Sequence, residues 1–219
     1  MSLLPDSLSR RQFVAGGLAA ATGLALPAGL PTPALGAAPA DSLLVIGPLK
    51  GYSPQIGTLV SMLNYNRDTI VRSVKGLSMA QLDHLFDANA NSIGALLLHL
   101  AAVDKFYQIN TFEGRQEFND VEKAEWNAAM ELGDTGRREI KGHELSFYLD
   151  KLASVRQQTL DLLKTKNDKW LLAVDPVWSQ KESINVYWKW FHVCEHESNH
   201  RGQIAFLKSR LPGGKPGKD

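Results

Sequence analysis

Apolar residues recur every third or fourth position through four long stretches of this chain, and that period decides its fold class. Ser53-Pro54 opens the first stretch, a capping hydroxyl followed by proline at the first helical position. Ile56, Leu59, Val60, Leu63, Ile70, Val71 and Val74 then keep the helical period to about Lys75, and Gly76 closes it. A loop with Asp83, Asp87, Asn89 and Asn91 leads to a second long helix, capped by Asn91 or Ser92. Its apolar side is Leu96, Leu97, Leu100, Val103, Phe106 and Tyr107, and it ends near Gly114. A shorter helix is expected over 121–132 and a third long one over 145–166, with Leu149, Leu152, Val155, Leu160 and Leu163 inward. Residues 167–181 hold Pro176 and turn formers. Ser183 is read as the cap of a fourth long helix, which runs to about Leu211 before Pro212 and two glycines. No segment sustains strict alternation, so no sheet is expected. The expectation is an all-α domain, an antiparallel four-helix bundle of about 160 residues.

Residues 1–40 have a different composition. Ser9-Arg10-Arg11-Gln12-Phe13-Val14 precedes an uncharged Ala/Gly-rich run to about Leu30, and Ala38-Pro39-Ala40 follows. A basic start, a modest apolar run and small residues near its end are the pattern of a cleavable signal. The paired arginines resemble the twin-arginine export signal. Gly16, Gly17, Gly23 and Pro27 make the run a poor permanent span, and no other stretch approaches the ~20 apolar residues that a bilayer demands. The expected organisation is a signal peptide over 1–40 and a helical domain over 41–219, in a protein exported to the periplasm or another extracytoplasmic space. The twin-arginine resemblance implies a route that carries folded proteins, often with a cofactor already inserted.

Charge and cysteine content remove whole classes of function. The chain has 24 Lys+Arg against 23 Asp+Glu, net +1, with no basic patch, so a nucleic-acid partner is not expected. Its one cysteine, Cys194, forms no intramolecular disulfide framework and no multi-cysteine zinc site.

The chemistry is concentrated in the fourth helix, His192-Val193-Cys194-Glu195-His196-Glu197-Ser198-Asn199-His200-Arg201-Gly202-Gln203. Residues four apart on a helix differ by only about 40° in direction, so His192, His196 and His200 form one stripe, with Gln203 a turn beyond. Cys194 points nearly opposite His196. Buried imidazoles each need a partner, and one divalent ion satisfies several at once. Two zinc-protease patterns match by letter, H-E-x-x-H at 196–200 and H-x-x-E-H at 192–196. Both draw a third ligand from downstream, where this chain offers only the terminal Asp219. The third ligand therefore lies upstream, and His99, set among Ala95, Leu96, Leu100 and Ala102, is the natural choice.

His99 in a Leu/Ala helix, followed about a hundred residues later by His196-x-x-x-His200-Arg201-Gly202-Gln203-Ile204, resembles the DinB/YfiT-like superfamily over roughly residues 54–210. The resemblance implies a four-helix bundle with one divalent ion on His99, His196 and His200, and imidazole ligands suit zinc, nickel or iron. It also implies thiol-dependent S-transferase or isomerase chemistry in some members. The export signal departs from a superfamily whose members are usually cytoplasmic. His192 and Gln203 are expected as pocket walls, and Glu197 as general base on a water at the ion. Gly202 is expected to permit a close helix contact, Glu195 to lie on a solvated face, and His84 and His143 to be surface residues. The expected function is a metal-dependent hydrolase or transferase acting on a small molecule, with a non-catalytic metal- or ligand-binding module as the alternative. No stable membrane span is expected after signal removal, and a homodimer is allowed.

Overall fold

The computed structural model describes residues 42–214, so the expected signal over 1–40 lies outside the described residues. Eight helices occur among them: α1 (Pro54–Val74), α2 (Met79–Leu82), α3 (Ile93–Glu113), α4 (Asp120–Glu131), α5 (Gly133–Glu139), α6 (Leu145–Lys164), α7 (Asp168–Leu172) and α8 (Val186–Ser209). The only pairing of extended backbone among the described residues is an isolated bridge between Val174 and Asn185, so the all-α expectation holds. No helix there is long and apolar enough to cross a membrane.

The caps explain where the helices start. Ser92 accepts from the Ala95 amide at 3.1 Å, and Asn119 and Glu122 form a reciprocal capping box at the head of α4. The last long helix begins at Val186, later than Ser183 implies. Asp175 and Ile184 pair through their backbone and Val186 donates to the Ala173 carbonyl, which keeps 184–185 extended. Asn185 then caps α8 by accepting from the Trp188 amide at 2.8 Å.

Four long helices, α1, α3, α6 and α8, form the bundle. Paired contacts fix their directions. Asn66 meets Cys194 and Thr69 meets Arg201, so α1 and α8 run the same way. Gly94 lies against Tyr148 and Asp104 against Thr159, so α3 and α6 run together. Leu63 pairs with Arg156 and Arg67 with Leu152, so α1 and α6 are antiparallel; His99 with His196 and Asn110 with Lys189 set α3 against α8 likewise. The crossover through α4 and α5 is what permits α3 and α6 to share a direction.

One charged side chain from each long helix meets in the middle. Arg67, Asp104, Arg156 and Glu197 are all buried, and they separate two apolar clusters, one around Leu97, Tyr148 and Leu152, the other around Leu59, Leu63 and Trp190. Arg156 donates to Asp104 at 2.8 Å and to Glu197 at 2.7 Å. Arg67 donates from Nε to the same Glu197 oxygen at 3.0 Å and from Nη1 to the Leu152 carbonyl at 2.5 Å. Thr159 donates to Asp104 at 2.5 Å. Burial alone would raise the Asp104 pKa, but the guanidinium groups of Arg156 and Arg67 outweigh it and hold the carboxyl below the usual range.

The expected close contact at Gly202 is not found. A Cβ built there meets nothing within 4 Å, whereas one at Gly94 would lie 2.7 Å from the Tyr148 hydroxyl. Gly94, not Gly202, is the glycine that lets two helices approach.

Candidate metal centre

The helical register brings His196 and His200 together on α8, and the α3–α8 packing lays His99 over them. Their Nε2 atoms converge: His99 lies 3.2 Å and His200 3.0 Å from His196. One ligand atom from each of the three lies within 4.8 Å of the others.

The outer nitrogens fix what the inner ones offer. His99 Nδ1 donates to the Ala129 carbonyl at 2.7 Å, and His200 Nδ1 donates to Gln203 Oε1 at 2.9 Å. An imidazole that donates through Nδ1 presents a lone pair at Nε2. His196 Nδ1 is buried without a partner. Burial disfavours the charged form of all three, and neighbouring imidazoles oppose it further at two. His99 falls to about 4, by burial first and then the nearby His200. His196 falls to about 3, by burial and then by His200 and His99, while burial lowers His200 against the opposing Gln203 bond. Three neutral rings bring their Nε2 atoms to one point, two of them with the lone pair set by an outer bond, and that is a donor set a divalent cation takes. The residues present fit a metal ion, and an all-imidazole set suits zinc, nickel, iron or copper.

The other expected site residues fall around this point. His192 lies outside the trio, its ring 5.7 Å from that of His196, stacked on Trp188 at 5.4 Å. Its Nδ1 donates to Glu195 Oε1 at 2.8 Å. Gln203 both holds His200 and lines a groove of about 490 Å³. Glu197 does not face the histidines. As the residue after His196 it is turned about 100° off the ligand stripe, and its Oε1 is taken by Arg67 and Arg156. The geometry thus runs against the expectation of Glu197 as general base, and with it against the zinc-protease reading. Cys194, expected to point away, is buried beside Asn66, which donates to its sulfur at 3.0 Å. His84 and His143 are partly buried and are not members of the trio, His143 being stacked on Phe147 at 3.9 Å.

Sequence reasoning missed two features of the centre. The Ala129 carbonyl is backbone and carries no signature at residue 129. The Arg67–Asp104–Arg156–Glu197 layer left a readable trace only in Arg67, which sits in register with Leu63, Ile70 and Val74 on an otherwise apolar stripe.

Comparison with known proteins places the chain in context. Residues 58–213 match the mycothiol-S-transferase family. A solved structure of a DinB-like protein from Bacillus cereus ATCC 10987 aligns with a TM-score of 0.53 and 13% identity, over 74% of this chain and 95% of that one. A structure of an uncharacterized protein from Clostridium difficile 630 aligns with a TM-score of 0.55 and 14% identity, over 72% of this chain and 97% of that one. At those identities the likeness concerns the fold. No curated protein matches the chain.

Proposed function

The chain belongs to the mycothiol-S-transferase family, and from that premise we propose that it is a metal-dependent S-transferase that joins a small thiol to an electrophile at His99, His196 and His200. The observation that carries the proposal is the convergence of three neutral Nε2 atoms with no carboxylate turned toward them. A divalent ion held by His99, His196 and His200 would meet three neutral ligands, keep its full charge and supply the Lewis acidity that lowers the pKa of a thiol. Glu197 is a poor base for a hydrolase there: its Oε1 is held by two arginines, and its Oε2 is buried without a partner off the ligand stripe. The transfer reading is favoured over the hydrolytic one by the family match over residues 58–213.

The chain's own groups supply the remaining tasks. Ala129 and Gln203 hold His99 and His200 in the tautomer that presents Nε2. His192, with Nδ1 bonded to Glu195 and its ring stacked on Trp188, offers Nε2 at the wall of the centre as acceptor for the thiol proton. The sulfur lone pair then forms a bond to the electrophilic carbon, and the leaving group departs with the bonding pair, as chloride where chlorodinitrobenzene is the electrophile. No oxidant or reductant enters.

The test is thiol conjugation of chlorodinitrobenzene by protein loaded in turn with zinc, nickel and iron, with mycothiol and N-acetylcysteine as thiols. Metal-dependent acceleration that vanishes in His99→Ala supports the proposal. Metal-replete protein that accelerates no thiol–electrophile pair overturns it. Export through Arg10-Arg11 belongs to the same proposal, and normal export and processing of the Arg10→Lys, Arg11→Lys protein would refute it.

A further inference from the structure

Gly202 lies inside α8, where glycine is the costliest residue after proline, yet nothing in the fold calls for it. Its φ is not positive, and a Cβ there would meet no atom within 4 Å. What the missing side chain leaves is room in the 490 Å³ groove between α3 and the second half of α8, a size in the ordinary range for small-molecule sites of about 300–1,000 Å³.

We infer that this groove seats the electrophile, and that the electrophile is a neutral, largely apolar molecule carrying an acceptor oxygen. The inference rests on the transferase reading and adds the acceptor's chemical class. Leu96, Phe206 and Leu207 give the groove apolar walls, and Asn199 and Gln203 give it a carboxamide end. No charged side chain lines it, so a charged ligand would lose its hydration without compensation. Gln203 spends its Oε1 on His200, which leaves its Nε2–H donors without a protein acceptor among the described residues. An oxygen on the ligand would take them. Because the same carboxamide touches both the ligand histidine and the groove, a molecule held there lies next to the centre. At the mouth, Phe86 and Phe206 form a half-exposed edge-to-face pair at 6.0 Å, an aromatic surface that an apolar guest would cover.

The probe is meta-dinitrobenzene, which keeps the ring and oxygens of the conjugation substrate but has no leaving group. It is titrated into the full chain, metal-loaded and chelator-stripped, while backbone amide shifts are followed. Saturable shifts are expected at Gly202, Gln203 and Phe206. Gly202→Leu should weaken binding about tenfold or more by occupying the groove, with metal content unchanged and the melting temperature level or raised, since leucine is the better helix former. Phe206→Ala, at an exposed position, should also weaken binding and guards against a folding defect in the first variant. Shifts confined to another face, or wild-type affinity in both variants, would overturn the inference. Groove binding without turnover of any thiol–electrophile pair keeps the groove as a ligand site and overturns the transfer reading. Turnover with a silent groove overturns the groove alone.

Discussion

Replacing Glu197 by alanine removes one of four balanced charges from the bundle interior. Glu197 is 1% exposed, and its Oε1 accepts from Arg67 Nε at 3.0 Å, from Arg67 Nη2 and from Arg156 Nη2 at 2.7 Å. Without it, two guanidinium groups face the single carboxylate of Asp104, and one buried positive charge is uncompensated. Breaking a buried pair from one side costs about 3–5 kcal/mol, a large share of the roughly 5–15 kcal/mol that holds a domain folded. Glu197→Gln keeps an acceptor but gives up the charge assistance, so about 1–3 kcal/mol is expected. In the double variant Glu197→Ala, Arg156→Met, the pair Arg67 and Asp104 remains in balance. Its cost should fall short of the sum of the singles by about 0.5–3 kcal/mol. The assay is urea denaturation of metal-free protein, which removes any contribution from lost metal. Stability of Glu197→Ala within about 0.5 kcal/mol of the parent, with damage confined to turnover, would refute this reasoning and return Glu197 to the chemistry.

The histidine centre should make the metal-free protein acid-sensitive. The unfolded chain protonates its histidines near pH 6.5, while in the fold His99 waits until about 4 and His196 until about 3. Between those limits the unfolded state holds more protons, so stability falls as pH falls; for His99 alone the loss is about 3 kcal/mol. A melting temperature that stays level from pH 7 to 4.5 would contradict this. Gln203→Leu, by releasing His200 Nδ1, should weaken metal binding about 10–100-fold in chelator competition, and unchanged affinity would remove Gln203 from the centre. Lys189 donates to Asn110 at 2.5 Å and to Asp175, and lies 4.0 Å over the Trp178 ring. Lys189→Met should therefore free the 174–184 segment and speed tryptic cleavage after Lys181, and an unchanged digestion rate would count against that anchor.

Local signals carried the parts of this protein that depend on neighbours in the chain. Ser92 and the spacing of Leu96, Leu97 and Leu100 announce α3, and the four-residue step from His196 to His200 announces a shared face. Helices of four to seven residues, α2, α5 and α7, complete too few turns to establish a period. Ser183 and Asn185 are both good caps, and the choice between them is made by backbone pairing with 173–175, which is tertiary. Arg67 apart, each member of the charge layer reads in isolation as a solvated position, because its counter-charge arrives from a different helix. Gly94 and Gly202 look alike as letters; one is filled by Tyr148 and the other opens on a groove.

The bond from His99 to the Ala129 carbonyl has a consequence for inheritance. Ala129 lies in the last turn of α4, where carbonyls lack helical partners, so one contact satisfies a helix end and sets a ligand's tautomer. A main-chain acceptor cannot be deleted by a point change in its own codon, so residue 129 is free to drift among small side chains while the centre persists. Vulnerability moves instead to whatever places the backbone. Next along is Leu132, held at φ 54°, a conformation that a branched residue adopts only under constraint. Lineages that lose the centre without touching a histidine should carry their lesions in that turn, as insertions or deletions around 131–133 rather than as substitutions at the ligands.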